Sequence, residues 1–288
     1  MSETSEITGA SIAFPASLVV LGIIVVPLFL MMGYSFNHFD PMELMQETFT
    51  LGNYYKFFSD PYYRKVFYST LGVAALCTTF ALVMGLPVAY FLAKTQSRYK
   101  SLFIVFLVFP LLVGNVVRAA GWMVILGNGG VANAALMWLG VTAEPVKFMY
   151  TPFAVVLGTT AVVMPYMILT LQSVLEGIDF SVEEAAQNLG ATFATTFRRI
   201  ILPIAAPGVA AGTMLVFILC MNAYATPVLL GGTGITMMAP SLYDQISKAS
   251  NWPFGAAMAL VLIITTLVLA TLSNWVIHRN YIKTMGVS

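Results

Sequence analysis

Six long apolar stretches run along the chain, with polar segments between them. A helix that crosses a bilayer needs about 20 apolar residues. On that measure the spans fall at roughly 11–34, 66–93, 102–126, 151–175, 206–230 and 254–277. The pattern predicts an all-α polytopic membrane protein with about six transmembrane helices. No gap between spans is long enough for a separate soluble domain, so residues 1–288 read as a single transmembrane domain. An even number of spans puts both termini on one side.

The polar segment 176–205 carries its own helical punctuation. Ser181-Val182-Glu183-Glu184 fits a capping box, with Glu184 reaching back to the Ser181 amide. Val182, Ala185, Ala186 and Leu189 then form an apolar stripe at helical spacing. Gly190 fits the position just past a helix end, where a left-handed residue stops the helix. A second helix is predicted from Thr192 to about Ile201, with Phe193 and Phe197 on one face and Pro203 stopping it. Ala206-Pro207 then opens the next span. The stripe is expected to pack on the chain's own helix ends, leaving Glu183 and Gln187 outward. The small Ala185-Ala186 pair permits close approach by a partner. An amphipathic interfacial helix without a partner fits the same pattern.

Composition narrows the class. The chain is 59% hydrophobic and 9% charged, against about 25% charged for soluble domains. Its mean hydropathy is +0.87. A water-soluble fold could not hide that much apolar surface. The formal net charge of +1 gives no field for nucleic acid. Cys77 and Cys220 sit in apolar runs and read as small buried hydrophobes, not as a disulfide or metal framework. The first ten residues hold no Lys or Arg, so the first apolar run reads as a retained helix, not a cleaved signal. The terminal side carries seven Lys and Arg against five opposite, a small bias toward termini inside.

Charge placement also excludes mechanisms. All twelve acidic residues, and both histidines, fall outside the spans or at their ends. Proton-coupled carriers and intramembrane hydrolases need ionisable groups at depth. No G-x-x-x-x-G-K-[ST] loop is present to hold a nucleotide. Arg118 is the one basic residue deep in a span, and Asn115 shares its helix face. Asn115, Arg118, Asn222 and Tyr224 are therefore candidates to line a translocation path. Interhelical hydrogen bonding that fixes packing is the competing role. Gly208 and Gly212 form a small-xxx-small pattern and read as helix packing. The aromatic and cationic segments 53–58 and 61–65 suit the headgroup zone; a solute-binding aromatic box is the sharper alternative. Pro87, Pro110, Pro165 and Pro227 lie inside spans, where prolines mark broken helices only in some proteins.

The anchors Glu184-Ala185-Ala186, Gly190, Ile200 and Leu202-Pro203 resemble the signature loop of permease subunits of binding-protein-dependent ABC importers. The loop also lies between the fourth and fifth of six spans, as in that family. Phe49-Thr50-Leu51-Gly52-Asn53-Tyr54 is similar to the family's first external loop. Asn115-Val116-Val117-Arg118 with Gly121-Trp122, and Asn251-Trp252-Pro253-Phe254-Gly255, resemble the spermidine/putrescine permeases. The resemblance implies the type I importer permease fold, with 176–205 as coupling loop and Glu184, Ala185, Ala186 and Gly190 at the ATPase contact. It implies a second homologous permease, two ATP-binding subunits and a periplasmic or external solute-binding protein as partners, around a multi-pass chain in the bacterial inner membrane. ATP and Mg²⁺ would be bound by the partner ATPase, and this chain would hold no cofactor or metal and catalyse nothing. The implied solute is a small organic one, a polyamine first. An amino-acid derivative, or a stand-alone carrier or channel, remains as the alternative.

Overall fold

The computed structural model describes the backbone of residues 3–285 and the side chains of residues 17–273 and Trp275. Among these residues the regular elements are helices, and the one β contact is an isolated bridge between His38 and Gln46. Six helical segments are long and apolar enough to cross a membrane: Ser17–Ser35, Pro61–Lys94, Asn115–Trp138, Pro152–Glu176, Phe193–Met221 and Trp252–Ser273. The chain forms two compact units. One comprises the segment up to Arg64 together with Leu242–Ile264, the other Lys65–Ser241 and the segment from Thr265.

In the first unit, helix α1 (Glu3–Ser35) leads through a loop to the short helix α2 (Gly52–Ser59). The fastening between them is polar and buried. Asn53 is 9% exposed, and its Nδ2 donates to the carbonyls of Ser35 and Asn37 at 2.9 Å each. The Tyr54 hydroxyl lies 2.7 Å from Ser35 Oγ. A buried amide satisfied twice over specifies one arrangement of the loop. Phe57 and Tyr63 turn inward toward Phe254, and Lys56 stands 4.6 Å over the Phe254 ring. Tyr55 and Phe58 stay exposed, as half-buried interfacial aromatics would.

The second unit holds α3 (Pro61–Lys94) from Lys65 on, α4 (Lys100–Leu112), α5 (Asn115–Leu126), α6 (Val131–Trp138), α7 (Pro152–Glu176), α8 (Ser181–Asn188), α9 (Phe193–Thr196) and α10 (Leu202–Met221). α7 is its core helix, with Ala154, Val155, Val163, Met167, Leu171 and Leu175 all buried. α10 lies close against it. A Cβ added to Gly208 would collide with Val174, and one on Gly212 would press on Thr170. The small-xxx-small pattern is thus the seam of α7 and α10. The unit continues through α11 (Met238–Ser247) up to Ser241, and the last helix, α12 (Trp252–Met285), belongs to it from Thr265.

Two spans differ from the sequence expectation. The third, expected as one helix over 102–126, is interrupted. α4 ends at Leu112, Val113 is extended, and Gly114 at ψ 145° starts α5 afresh. Pro110 closes α4 by removing an amide, and glycine gives the helix little reason to continue. The fifth, expected over 206–230, ends at Met221 but begins far upstream. α9, a π-turn at Phe197–Ile201 and α10 form one continuous helix from Phe193. Pro203 was expected to stop a helix here and does not. The widened turn absorbs it, with the Leu202 amide bonding to the Phe197 carbonyl five residues back.

Candidate functional site

The polar loop is a helix, a left-handed stop and a second helix start, as its punctuation predicts. Its start is capped differently from the capping-box expectation. Ser181 is the first helical residue, and its amide donates to Asp179 Oδ1 at 2.9 Å. That amide, with the Ser181 hydroxyl, holds the Asp179 carboxyl below the usual carboxylate range. Aspartate two residues earlier supplies the acceptor for the Ser181 amide that Glu184 was expected to supply, and Glu184 stays exposed. The end is as expected. Gly190 sits at φ +87°, its amide bonds to the Gln187 carbonyl, and Ala191 bonds back to Ala186. This crossed pair of bonds is a Schellman stop. Thr192 then caps α9 by accepting from the Thr195 amide.

The facing of α8 departs from the expectation at Glu183 and along the apolar stripe, while Gln187 is exposed as expected. Glu183, expected outward, is 1% exposed. Its Oε1 accepts from Lys94 Nζ at 2.7 Å and from Gln187 Nε2 at 3.0 Å, and its Oε2 accepts from the Tyr90 hydroxyl at 2.6 Å. Burial pushes this carboxyl up, but the hydrogen bonds from Lys94 and Tyr90 outweigh that and hold it below the usual range. Around Tyr90 stand Phe180, Phe193 and Phe197, with ring centroids 5.4 to 5.9 Å away. The apolar stripe points outward instead: Leu189 is 91% exposed, Val182 39%, and Ala185 is exposed. A paired carboxylate and an aromatic cluster therefore anchor α8, and apolar surface is left for something else. Lys100 and Glu176, 2.7 Å apart, join the polar segment between α3 and α4 to the foot of α7. Both polar loops thus lie at the same end of this unit.

The four path candidates divide. A cavity of about 410 Å³ is lined by Asn115, Asn222 and Tyr224, together with Thr159, Tyr166 and Thr226 among others. α5 supplies Asn115, α7 supplies Thr159 and Tyr166, the non-helical turn after α10 supplies Asn222 and Tyr224, and the helical turn that follows supplies Thr226. The break at Met221 therefore places Asn222 and Tyr224, where a continuous span would have carried them past. Thr159 is 1% exposed, and its hydroxyl has no hydrogen-bond partner among the described residues. Arg118 does not line the cavity. It shares a face with Asn115, as expected, and donates through Nη2 to Asn115 Oδ1, while its Nε and Nη1 are buried without a partner among the described residues. Arg118 orients a lining residue from behind. Thr159, Tyr166 and Thr226 escaped the sequence reading because isolated polar side chains in apolar stretches bear no spacing mark that separates a lining position from a packed one. Tyr90 and Lys94 escaped it because a span's closing Tyr and Lys look like ordinary interfacial anchors.

Comparison with known proteins places the chain in a family and a fold. Residues 78–280 match the family described as binding-protein-dependent transport system inner membrane component. The spermidine/putrescine transport system permease protein PotB of Salmonella typhimurium is 34% identical over 92% of this chain and 91% of its own. That of Escherichia coli is 35% identical over 83% of this chain and 86% of its own. The inner membrane ABC transporter permease protein YdcU of Escherichia coli is 31% identical over 80% of this chain and 76% of its own. Among solved structures, a bacterial ABC transporter that imports alginate superposes with a TM-score of 0.78 at 17% identity, covering 96% of both chains. The methionine transporter MetNI gives 0.56 at 18% identity, over 75% of this chain and 94% of that one. The six apolar helices, the loop and these matches lead to one assignment: the chain belongs to the family of binding-protein-dependent transport system inner membrane components, and is a multi-pass permease of an ABC importer.

Proposed function

We propose that this chain carries a polyamine inward through alternating access, driven by ATP hydrolysed on partner subunits. The observation that carries the coupling part is the facing of α8. Its charged side is locked to α3, and its apolar side, with Ala185 and Leu189, is bare. Glu184 is exposed beside that surface. Bare apolar surface on a rigidly held helix fits a groove on an ATP-binding subunit. The complex would hold a second homologous permease, two ATP-binding subunits and an external solute-binding protein, with ATP and Mg²⁺ on the ATPase. The chain itself is non-catalytic. The α8 loop and both termini face the cytoplasm on this reading.

The solute class is supported by the relatives that carry spermidine and putrescine in their names. The cavity supplies amide oxygens, hydroxyls and the rings of Tyr166 and Tyr224, which can hold an ammonium group by hydrogen bonds and cation–π contact. None of its lining residues is a carboxylate. That observation favours a second reading, a neutral or zwitterionic small organic solute such as an amino-acid derivative. Competition separates the two. Uptake of radiolabelled putrescine by the whole complex in proteoliposomes is expected to require ATP and to be blocked by unlabelled spermidine. Failure of spermidine to compete, with an amino-acid derivative competing instead, selects the second reading.

A further inference from the structure

We infer that Glu183, with Tyr90 and Lys94, is the joint through which movement of α8 reaches the transmembrane helices. This rests on the coupling role proposed for α8. The geometry separates the joint from the docking surface. Glu183 is neighbour to Glu184 in sequence but is 1% exposed, while Glu184 is exposed. Tyr90 and Lys94 stand one turn apart on the last turns of α3 and converge on a single carboxylate, at 2.6 and 2.7 Å. Phe180 precedes α8, Phe193 and Phe197 follow its turn, and all three pack on the Tyr90 ring. Lys94 Nζ also lies 5.8 Å from the Phe180 ring centre. The end of α3 is therefore plugged into a socket that the loop builds from both of its arms.

The second arm matters for transmission. Phe193 and Phe197 belong to the continuous helix that runs on into α10 without a break. A push on α8 is thus delivered to α3 through the carboxylate and the rings, and to α10 through the backbone. Without the carboxylate, only the ring contacts on Tyr90 would tie the loop to α3, and α8 would follow α3 less closely. Glu183 is a positioning residue on this account: it touches neither solute nor nucleotide.

The test uses the whole complex in proteoliposomes, reading solute uptake and ATP hydrolysis together. Glu183→Gln keeps the shape and loses the charge; Tyr90→Phe keeps the ring and loses only the hydroxyl. Both are expected to co-purify with the partner subunits and to hydrolyse ATP. Solute moved per ATP is expected to fall by at least about fivefold for Glu183→Gln, the lower range of coupling effects between sites. The exchanged pair, Glu183→Lys with Lys94→Glu, is expected to regain most of it. Uptake and hydrolysis falling in proportion, or an unchanged ratio in both single variants, overturns the inference. A wild-type complex whose uptake ignores ATP overturns instead the coupling role on which it rests.

Discussion

Single residues in the loop carry separate jobs. The buried carboxylate of Glu183 is held charged by Lys94 and Tyr90. A carboxyl whose folded pKa lies below its unfolded value stabilises the fold above the ordinary carboxylate range, near pH 4.3, and loses that contribution as pH falls through its lowered value. Thermal melting of the purified complex is therefore expected to fall below about pH 4.5, with Glu183→Gln melting lower at pH 7 and showing a flatter acid limb. Hydrogen bonds to a charged group are worth about 1.5–3 kcal/mol. Lys94 is 44% exposed, so the lower end applies to the pair. Gly190 has a different job. At φ +87° a side chain there costs about 1–2 kcal/mol unless it is Asn. Gly190→Asn is expected to keep most uptake, while Gly190→Arg abolishes it with insertion intact. Undiminished transport by the arginine variant contradicts the coupling role of the loop. The glycine was legible because a left-handed stop has a strong sequence mark. The facing of Glu183 was not, because two adjacent glutamates look alike in sequence and only the tertiary partners, Tyr90 and Lys94, decide which one is buried.

Elements show where helix rules were overridden. Pro203 should end a helix by removing an amide and crowding the carbonyl four residues back. A π-turn relieves both, and α9 to α10 becomes one rod from the loop into the bilayer. Hydropathy could not reveal the interruption at Val113-Gly114 either, since an apolar stretch reads the same whether the backbone inside it is straight or broken. Each departure has a use. The rod connects the loop with α10, and the end of α10 at Met221 turns Asn222 and Tyr224 into the cavity. The seam between α7 and α10 was legible, because small residues four apart have one main use in a membrane. Gly208→Leu is expected to force that seam open and lower the melting temperature of the complex clearly. Overpacking of a tight contact costs about 1–3 kcal/mol. On the exposed stripe, Leu189→Asp is expected to leave the melting temperature unchanged, because the side chain is 91% exposed. It should weaken co-purification of the ATPase by about tenfold, as loss of a central apolar anchor does. Retained ATPase binding would place the docking surface elsewhere.

At the scale of the molecule, the missing intramembrane carboxylates and the built loop make one argument. A carrier that runs on protons needs ionisable groups at depth, and all twelve acids of this chain lie outside its spans or at their ends. On the proposed reading energy arrives through a surface, the bare face of α8, which is connected to α3 by Glu183 and to α10 by a continuous helix. The measurement that tests this most directly is uptake of labelled putrescine into proteoliposomes, comparing this chain alone with the assembled complex, with and without ATP. The account predicts uptake only from the complex, only with ATP, and only with the solute-binding protein present. Uptake by the chain alone, without ATP, would contradict it.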